Sequence, residues 1–250
     1  FASQPGFDRV PDIHAAEQAW GAGTCLLRDS QSWTDWSAGA CTLGNGDSAP
    51  TLLFGDSFAA HYVPGLRETG LAARAPIVEY AMEGCPPTLA PDSPGTPACL
   101  AFRPQALELV RQLGVKRVIV AGSWLEYGTR ISVEVEGTLT AFKAAGVEVT
   151  LIGQSPNFHI PPYLILARTV PPGTEDAALP LSAEARAMNS RLAAIASRTG
   201  ATFIDPARAL CPEGRCPVRA GGQDLYLDYG HFTPDGSRQA VEAYFPDPAH

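Results

Sequence analysis

Basic clusters are missing from this sequence. Its 18 Lys and Arg are outnumbered by 26 Asp and Glu, for a net charge of −8. With no run of cations to meet a phosphate backbone, nucleic acid is not expected as a partner. Long apolar runs are missing too: stretches such as Val118-Ile119-Val120-Ala121 are far too short to cross a bilayer. The N-terminus has no charged segment followed by an apolar one, and the chain begins at Phe1 without Met. A processed or excised piece is the expectation. No internal repeat or low-complexity tract is evident.

What is present suits a folded enzyme. The 250 residues fit one sizeable domain, or one with an extension; 45% hydrophobic content supports a core, and 23 prolines with 24 glycines imply shaped loops. Six cysteines fall in three local pairs: Cys25 with Cys41, Cys85 with Cys99, and Cys211 with Cys216. Fifteen pairings are possible on paper. Neighbour pairing is favoured because each pair brackets a loop containing Pro or Gly. Zinc is the competing reading, but the spacings make no pair of Cys-x-x-Cys knuckles and no His sits at a ligand spacing beside them. Disulfides imply an oxidising compartment such as the periplasm or the cell exterior.

From Thr51 onward, short apolar runs alternate with amphipathic segments, the pattern of a parallel sheet covered by helices. Strands are expected at 51–56, 77–82, 117–122, 147–153 and 201–205. Helical spacing appears at Ala106-Leu107-Leu109-Val110-Leu113 and at Leu139-Phe142-Ala145, with Gly114 and Gly146 as stops. Ser182 should cap a helix running to Gly200, and Thr233-Pro234 reads as N-cap and first helical residue. An α/β fold of three layers, doubly wound and flavodoxin-like, with about five parallel strands, follows. Residues 1–50, with Trp20, Trp33, Trp36 and two cysteines, read as a disulfide-tied extension packed on the domain. Those Trp residues are expected to serve packing more than binding. Gln154 to Leu181 reads as one long loop.

Chemistry is signalled at two places. The run Thr51-Leu52-Leu53-Phe54 ends in Gly55-Asp56-Ser57, and Asp228-Tyr229-Gly230-His231 follows the last strand. A hydroxyl at a strand end, a histidine to deprotonate it and a carboxylate to orient the histidine are the parts of a serine nucleophile. The alternative is structural: Ser57 as a helix N-cap and His231 as a buried, hydrogen-bonded side chain.

These segments resemble the SGNH hydrolases of the GDSL esterase and lipase group over about Thr51 to Tyr244. Leu53 through Tyr62, Gly84-Cys85-Pro86-Pro87, Cys211-Pro212 through Cys216, and Leu225 through Asp228 with His231-Phe232-Thr233 are more narrowly similar to the SGNH domain fused to membrane acyltransferases of the third acyltransferase family. Those proteins O-acetylate lipopolysaccharide and other envelope glycans. The resemblance implies a catalytic domain over 51–250, with Ser57 as nucleophile, His231 as base and Asp228 as its orienter. It also implies an oxyanion hole using the N–H groups of Ser57 and Gly84. No cofactor or metal is implied. Where the wider family has Gly-x-Asn-Asp, this chain reads Gly122-Ser123-Trp124-Leu125-Glu126. Of its three asparagines, Asn45, Asn157 and Asn189, Asn157 is the candidate replacement donor, with the Trp124 indole as another. His61, Trp124 and His159 are candidate substrate contacts.

The function so implied is a periplasmic O-acetyltransferase domain, tethered to the inner membrane. It would receive acetyl from a fused or separate membrane acyltransferase domain and pass it through a serine acyl-enzyme to a glycan acceptor such as lipopolysaccharide O-antigen, with weak esterase activity alongside. A secreted carbohydrate acetylesterase and a non-catalytic glycan-binding SGNH scaffold are the alternatives.

Overall fold

The computed structural model describes residues 11–171 and 173–246. Its strands are β1 (Leu26–Leu27), β2 (Thr42–Leu43), β3 (Thr51–Gly55), β4 (Ile77–Met82), β5 (Arg117–Ala121), β6 (Glu148–Ile152), β7 (Ala177–Pro180), β8 (Thr202–Ile204), β9 (Arg215–Ala220) and β10 (Gln223–Asp224). The main sheet runs β1-β4-β3-β5-β6-β8, all parallel, with β2 antiparallel against the start of β4. The five strands expected from the apolar runs form it from β4 to the far edge, in the order β4-β3-β5-β6-β8. That order reverses direction at β3, so the carboxyl end of β3 is where a doubly wound sheet opens a crevice.

Alternation along each strand divides the core between two faces. Leu52 and Phe54 join one cluster with Val118, Val120 and Leu151, under the helices Gln105–Gln112, Trp124–Ala144 and Ala183–Thr199. Leu53, Ile119 and Ile152 point the other way, to Leu66, Ala240 and Val241 of the helices Val63–Glu68 and Pro234–Tyr244. Three layers result. The expected punctuation is in place: Ser182 accepts a hydrogen bond from the Ala185 N–H, and Thr233 caps with Pro234 behind it. Gly114, Gly146 and Gly200 all have positive φ. No helix among the described residues is long and apolar enough to cross a membrane.

Two segments differ from the sequence-based expectation. The stretch 154–181, read as one loop, contains the helix Pro162–Thr169 and strand β7, which joins β9 and β10 in a second, antiparallel sheet. Ahead of Thr51, residues Leu26–Leu27 extend the main sheet at β4. All six cysteines pair with their neighbours, as Cys25–Cys41, Cys85–Cys99 and Cys211–Cys216.

Candidate active site

Strand β3 ends at Gly55, where the chain must pass tightly against β5. A Cβ on Gly55 would stand 2.0 Å from the Ala121 carbonyl oxygen and 2.4 Å from the Ala59 Cβ. Only glycine fits there. Asp56, and not Ser57, then caps the short helix Ser57–Ala60, accepting from the Phe58 N–H at 2.7 Å. Ser57 is left as the first helical residue with its hydroxyl free for other work.

The other half of the site is a hairpin. Tyr226 and Phe232 form an antiparallel bridge, and the Leu227 N–H donates to the His231 carbonyl at 2.8 Å. At its tip Asp228 Oδ1 accepts from the N–H groups of Gly230 and His231, both at 2.8 Å, an Asx-turn that fixes the loop with the aspartate's own side chain. The second oxygen, Oδ2, meets His231 Nδ1 at 2.8 Å, and His231 Nε2 meets Ser57 Oγ at 2.8 Å. Residues 174 apart in sequence thus form one relay. Burial works against ionisation of Asp228, but the His231 ring bond, the His231 charge and the two N–H groups outweigh it and hold the carboxyl below its ordinary value. Such a relay can take the serine proton and keep the imidazole in one tautomer.

The ring of His231 packs against two aromatics. Phe58 approaches to 4.1 Å between centroids, tilted, and Trp20 stacks at 5.2 Å with an interplanar angle of 30°. Gly230 is tightly packed: a Cβ there would lie 3.0 Å from the Phe58 ring and 3.1 Å from Asn157 Nδ2, so both side chains would have to give by a few tenths of an ångström.

Asp56 is the residue that the sequence reading left without a role. It is fully buried, and its Oδ2 accepts from the Ser123 N–H at 2.9 Å and the Tyr127 hydroxyl at 2.6 Å. One carboxylate therefore joins the end of β3 to the end of β5 and to the first turn of the helix Trp124–Ala144, just beside the serine. Burial pushes its carboxyl up to about 6, against the lowering effect of the three donors. Relative to its ordinary value of 3.8, the folded state holds this proton more tightly than the unfolded chain does. Its contribution is therefore present below that value and is lost as pH rises through about 6. Asp56→Asn should remove about 3 kcal/mol of this pH dependence, read as a smaller difference between denaturant unfolding at pH 4 and pH 7 than in wild type. An equal difference in both proteins would show that Asp56 stays ionised across that range.

The remaining sequence-based candidates are placed as follows. Gly84 follows β4 with φ of 61°, in the left-handed region. Register pairs Gly55 with Ala81, so Ser57 and Gly84 leave adjacent strands at the same edge of the sheet. Neither N–H has an acceptor among the described residues. Asn157 reaches the hairpin tip, where its neighbour Phe158 donates to the Tyr229 carbonyl at 2.7 Å. Trp124 is a correction: it is completely buried and its indole N–H donates to the Ile152 carbonyl at 3.0 Å, so it is neither an oxyanion donor nor a substrate contact. His61 is a second correction. It is completely buried, packed on Tyr62, Phe232 and Phe58, and held neutral by burial and by the charge of His231. His159 is exposed and takes no part in the relay.

Beside Gly84 opens a cleft of about 310 Å³ lined by Pro86, Pro94, Glu126, Tyr127, Arg130 and Ile131 among others. Tyr229, in the hairpin tip, donates its hydroxyl to Glu126 across the site. Cleft, relay and unpaired N–H groups therefore share one edge of the sheet.

Comparison with known proteins agrees with this architecture. A solved structure of the periplasmic domain of a lipopolysaccharide acetyltransferase from Salmonella ser. Paratyphi A superposes with a TM-score of 0.78 at 19% identity, covering 95% of this chain and 97% of that one. A GDSL-like lipase from Bacteroides thetaiotaomicron gives a TM-score of 0.47 at 12% identity, covering 78% of this chain and 85% of that one. No curated protein matches. The family model for the SGNH domain fused to AT3 domains matches residues 24–246, nearly the whole chain. The chain belongs to that family of SGNH domains.

Proposed function

We propose that this domain transfers an acetyl group through Ser57 to a hydroxyl of an envelope glycan. The observation that carries the reading is the unbroken relay from Ser57 Oγ to His231 to Asp228, with 2.8 Å at each link, at the carboxyl end of β3. Ser57 Oγ attacks the acetyl carbonyl while its proton passes to His231 Nε2. Asp228 holds the imidazole and offsets the imidazolium charge. The N–H groups of Ser57 and Gly84 receive the developing oxyanion. When the tetrahedral intermediate collapses, His231 returns the proton to the leaving group and the acetyl remains on Ser57. A sugar hydroxyl then attacks, His231 again taking the proton, and Ser57 is released with its hydrogen restored.

Membership of a family fused to AT3 domains supports transfer over hydrolysis. It also supports an acetyl donor delivered from a membrane acyltransferase domain, with this domain on the periplasmic side. Three disulfides agree with that compartment. Water in place of the sugar gives hydrolysis by the same steps: the third-block Asn is missing and Trp124 does not replace it, so unless Asn157 at the hairpin tip supplies that bond, hydrolysis is slower by about a hundredfold to a thousandfold. A positioned sugar recovers much of that barrier. The test is to supply p-nitrophenyl acetate with a lipopolysaccharide oligosaccharide and separate acetate from acetylated sugar by mass spectrometry. Acetylated sugar should be the main product. Rapid hydrolysis of acetylated glycan without transfer under any acceptor condition would make the domain an acetylesterase.

A further inference from the structure

The segment ahead of β3 touches both halves of the site. Trp20 ends the helix Ile13–Ala19 and stacks on His231. It is buried with Ala16, Leu26, Ala60, Ala81 and Leu227, and its indole N–H has no hydrogen-bond partner among the described residues. Packing alone fixes the ring. A few residues later, Leu27 pairs with Met82 and its carbonyl accepts the Glu83 N–H at 2.9 Å, so β1 sets the strand end that leads into Gly84. Arg28 adds an ion pair to Glu83 at 2.8 Å and another to Glu17 at 3.4 Å, tying that strand end to the helix bearing Trp20. Cys25–Cys41 closes the same segment on itself. The family model begins at residue 24, beyond both Trp20 and Glu17.

We infer that this segment is a clasp that sets the catalytic geometry, with Trp20 as a positioning residue for the general base and Arg28 as the tie to the oxyanion turn. Trp20 and Phe58 both pack on the His231 ring. Trp20 restricts the ring to the plane that joins Ser57 to Asp228, and its face favours the imidazolium that forms during proton transfer. Loss of the ring should therefore slow the chemical step and leave substrate binding unchanged.

The inference rests on the acyl-transfer reading, and the test separates the two. A fluorophosphonate reacts when Ser57 Oγ forms a bond to phosphorus, fluoride departs and the serine proton passes to His231, so its rate reports relay and oxyanion hole without any acceptor. Wild type should label at Ser57; failure to label would sink the acyl-transfer reading and the clasp with it. Trp20→Leu keeps an apolar side chain without the flat face, and should label about tenfold more slowly. Trp20→Phe should recover to within about threefold of wild type. On p-nitrophenyl acetate, Trp20→Leu should lower kcat with KM unchanged. Arg28→Met alters no buried group, so it tests the tie even if Trp20→Leu does not fold; it should slow labelling several-fold. Wild-type labelling in folded Trp20→Leu, or in Arg28→Met, would overturn the clasp. So would a loss that Trp20→Phe shares in full.

Discussion

Ser57→Ala and His231→Ala are each expected to abolish nearly all turnover of p-nitrophenyl acetate. In the proposed mechanism the two groups act as one unit: without Oγ there is no atom to carry the acetyl, and without Nε2, 2.8 Å away, the hydroxyl keeps its proton and remains a poor nucleophile. Losses from such units can approach about a millionfold, and the double variant should be scarcely worse than either single one. Ser57 supports no core cluster, so Ser57→Ala should fold with an unchanged thermal midpoint, whereas His231→Ala empties the space beside Phe58 and Trp20 and should lower the midpoint while leaving the fold intact. Wild-type turnover by purified Ser57→Ala would remove the nucleophile assignment.

Asp228→Asn should produce the next largest effect, about ten-thousandfold in kcat. Asp228 does two jobs with two oxygens: Oδ1 accepts from Gly230 and His231 N–H groups, while Oδ2 faces His231 Nδ1. An asparagine can keep the first with its carbonyl oxygen. Its amide nitrogen then donates one N–H to Nδ1, which must become an acceptor, and Nε2 carries a hydrogen in place of the one it should take from Ser57. The loop survives in the wrong tautomer. A fall in kcat with an intact fold is therefore expected, whereas a collapse in stability without a specific kinetic loss would reduce Asp228 to a turn residue.

The parts of this molecule legible in sequence are those governed by local rules. The apolar runs at 51–56 and 117–122 became β3 and β5 because strands buried on both faces need continuous hydrophobic residues. Ser182 and Thr233 cap helices because their hydroxyls satisfy N–H groups three residues away. Strands β1 and β2 were not legible: each has two residues, too few for any periodicity. Strand β7 escaped because its partner, β9, is distant in sequence and its own register shifts after Ala177.

At the site, the motifs located Ser57, His231 and Asp228 but said nothing of direction. Trp124 occupies the third-block position, yet its indole turns inward to Ile152, a choice made by packing between β6 and the helix. In the sequence Asp56 is visible only as the middle residue of Gly55-Asp56-Ser57. Its two oxygens hold together the end of β3, the Ser123 N–H and Tyr127, which only the sheet register brings within reach. Trp20 carries a faint signal as one of three tryptophans ahead of Thr51. Its contact with His231 depends on where β1 joins the sheet.

The most direct test of acetyl transfer through Ser57 is to follow the acetyl group itself. The protein is mixed with isotopically labelled p-nitrophenyl acetate, quenched in acid, digested and mapped by mass spectrometry, then chased with oligosaccharide before quenching. Label on the peptide containing Ser57 should appear first and then disappear as labelled acetyl-sugar accumulates in equal amount. Acetylated sugar formed while Ser57 never carries label, or label on Ser57 that the sugar cannot discharge, would contradict it.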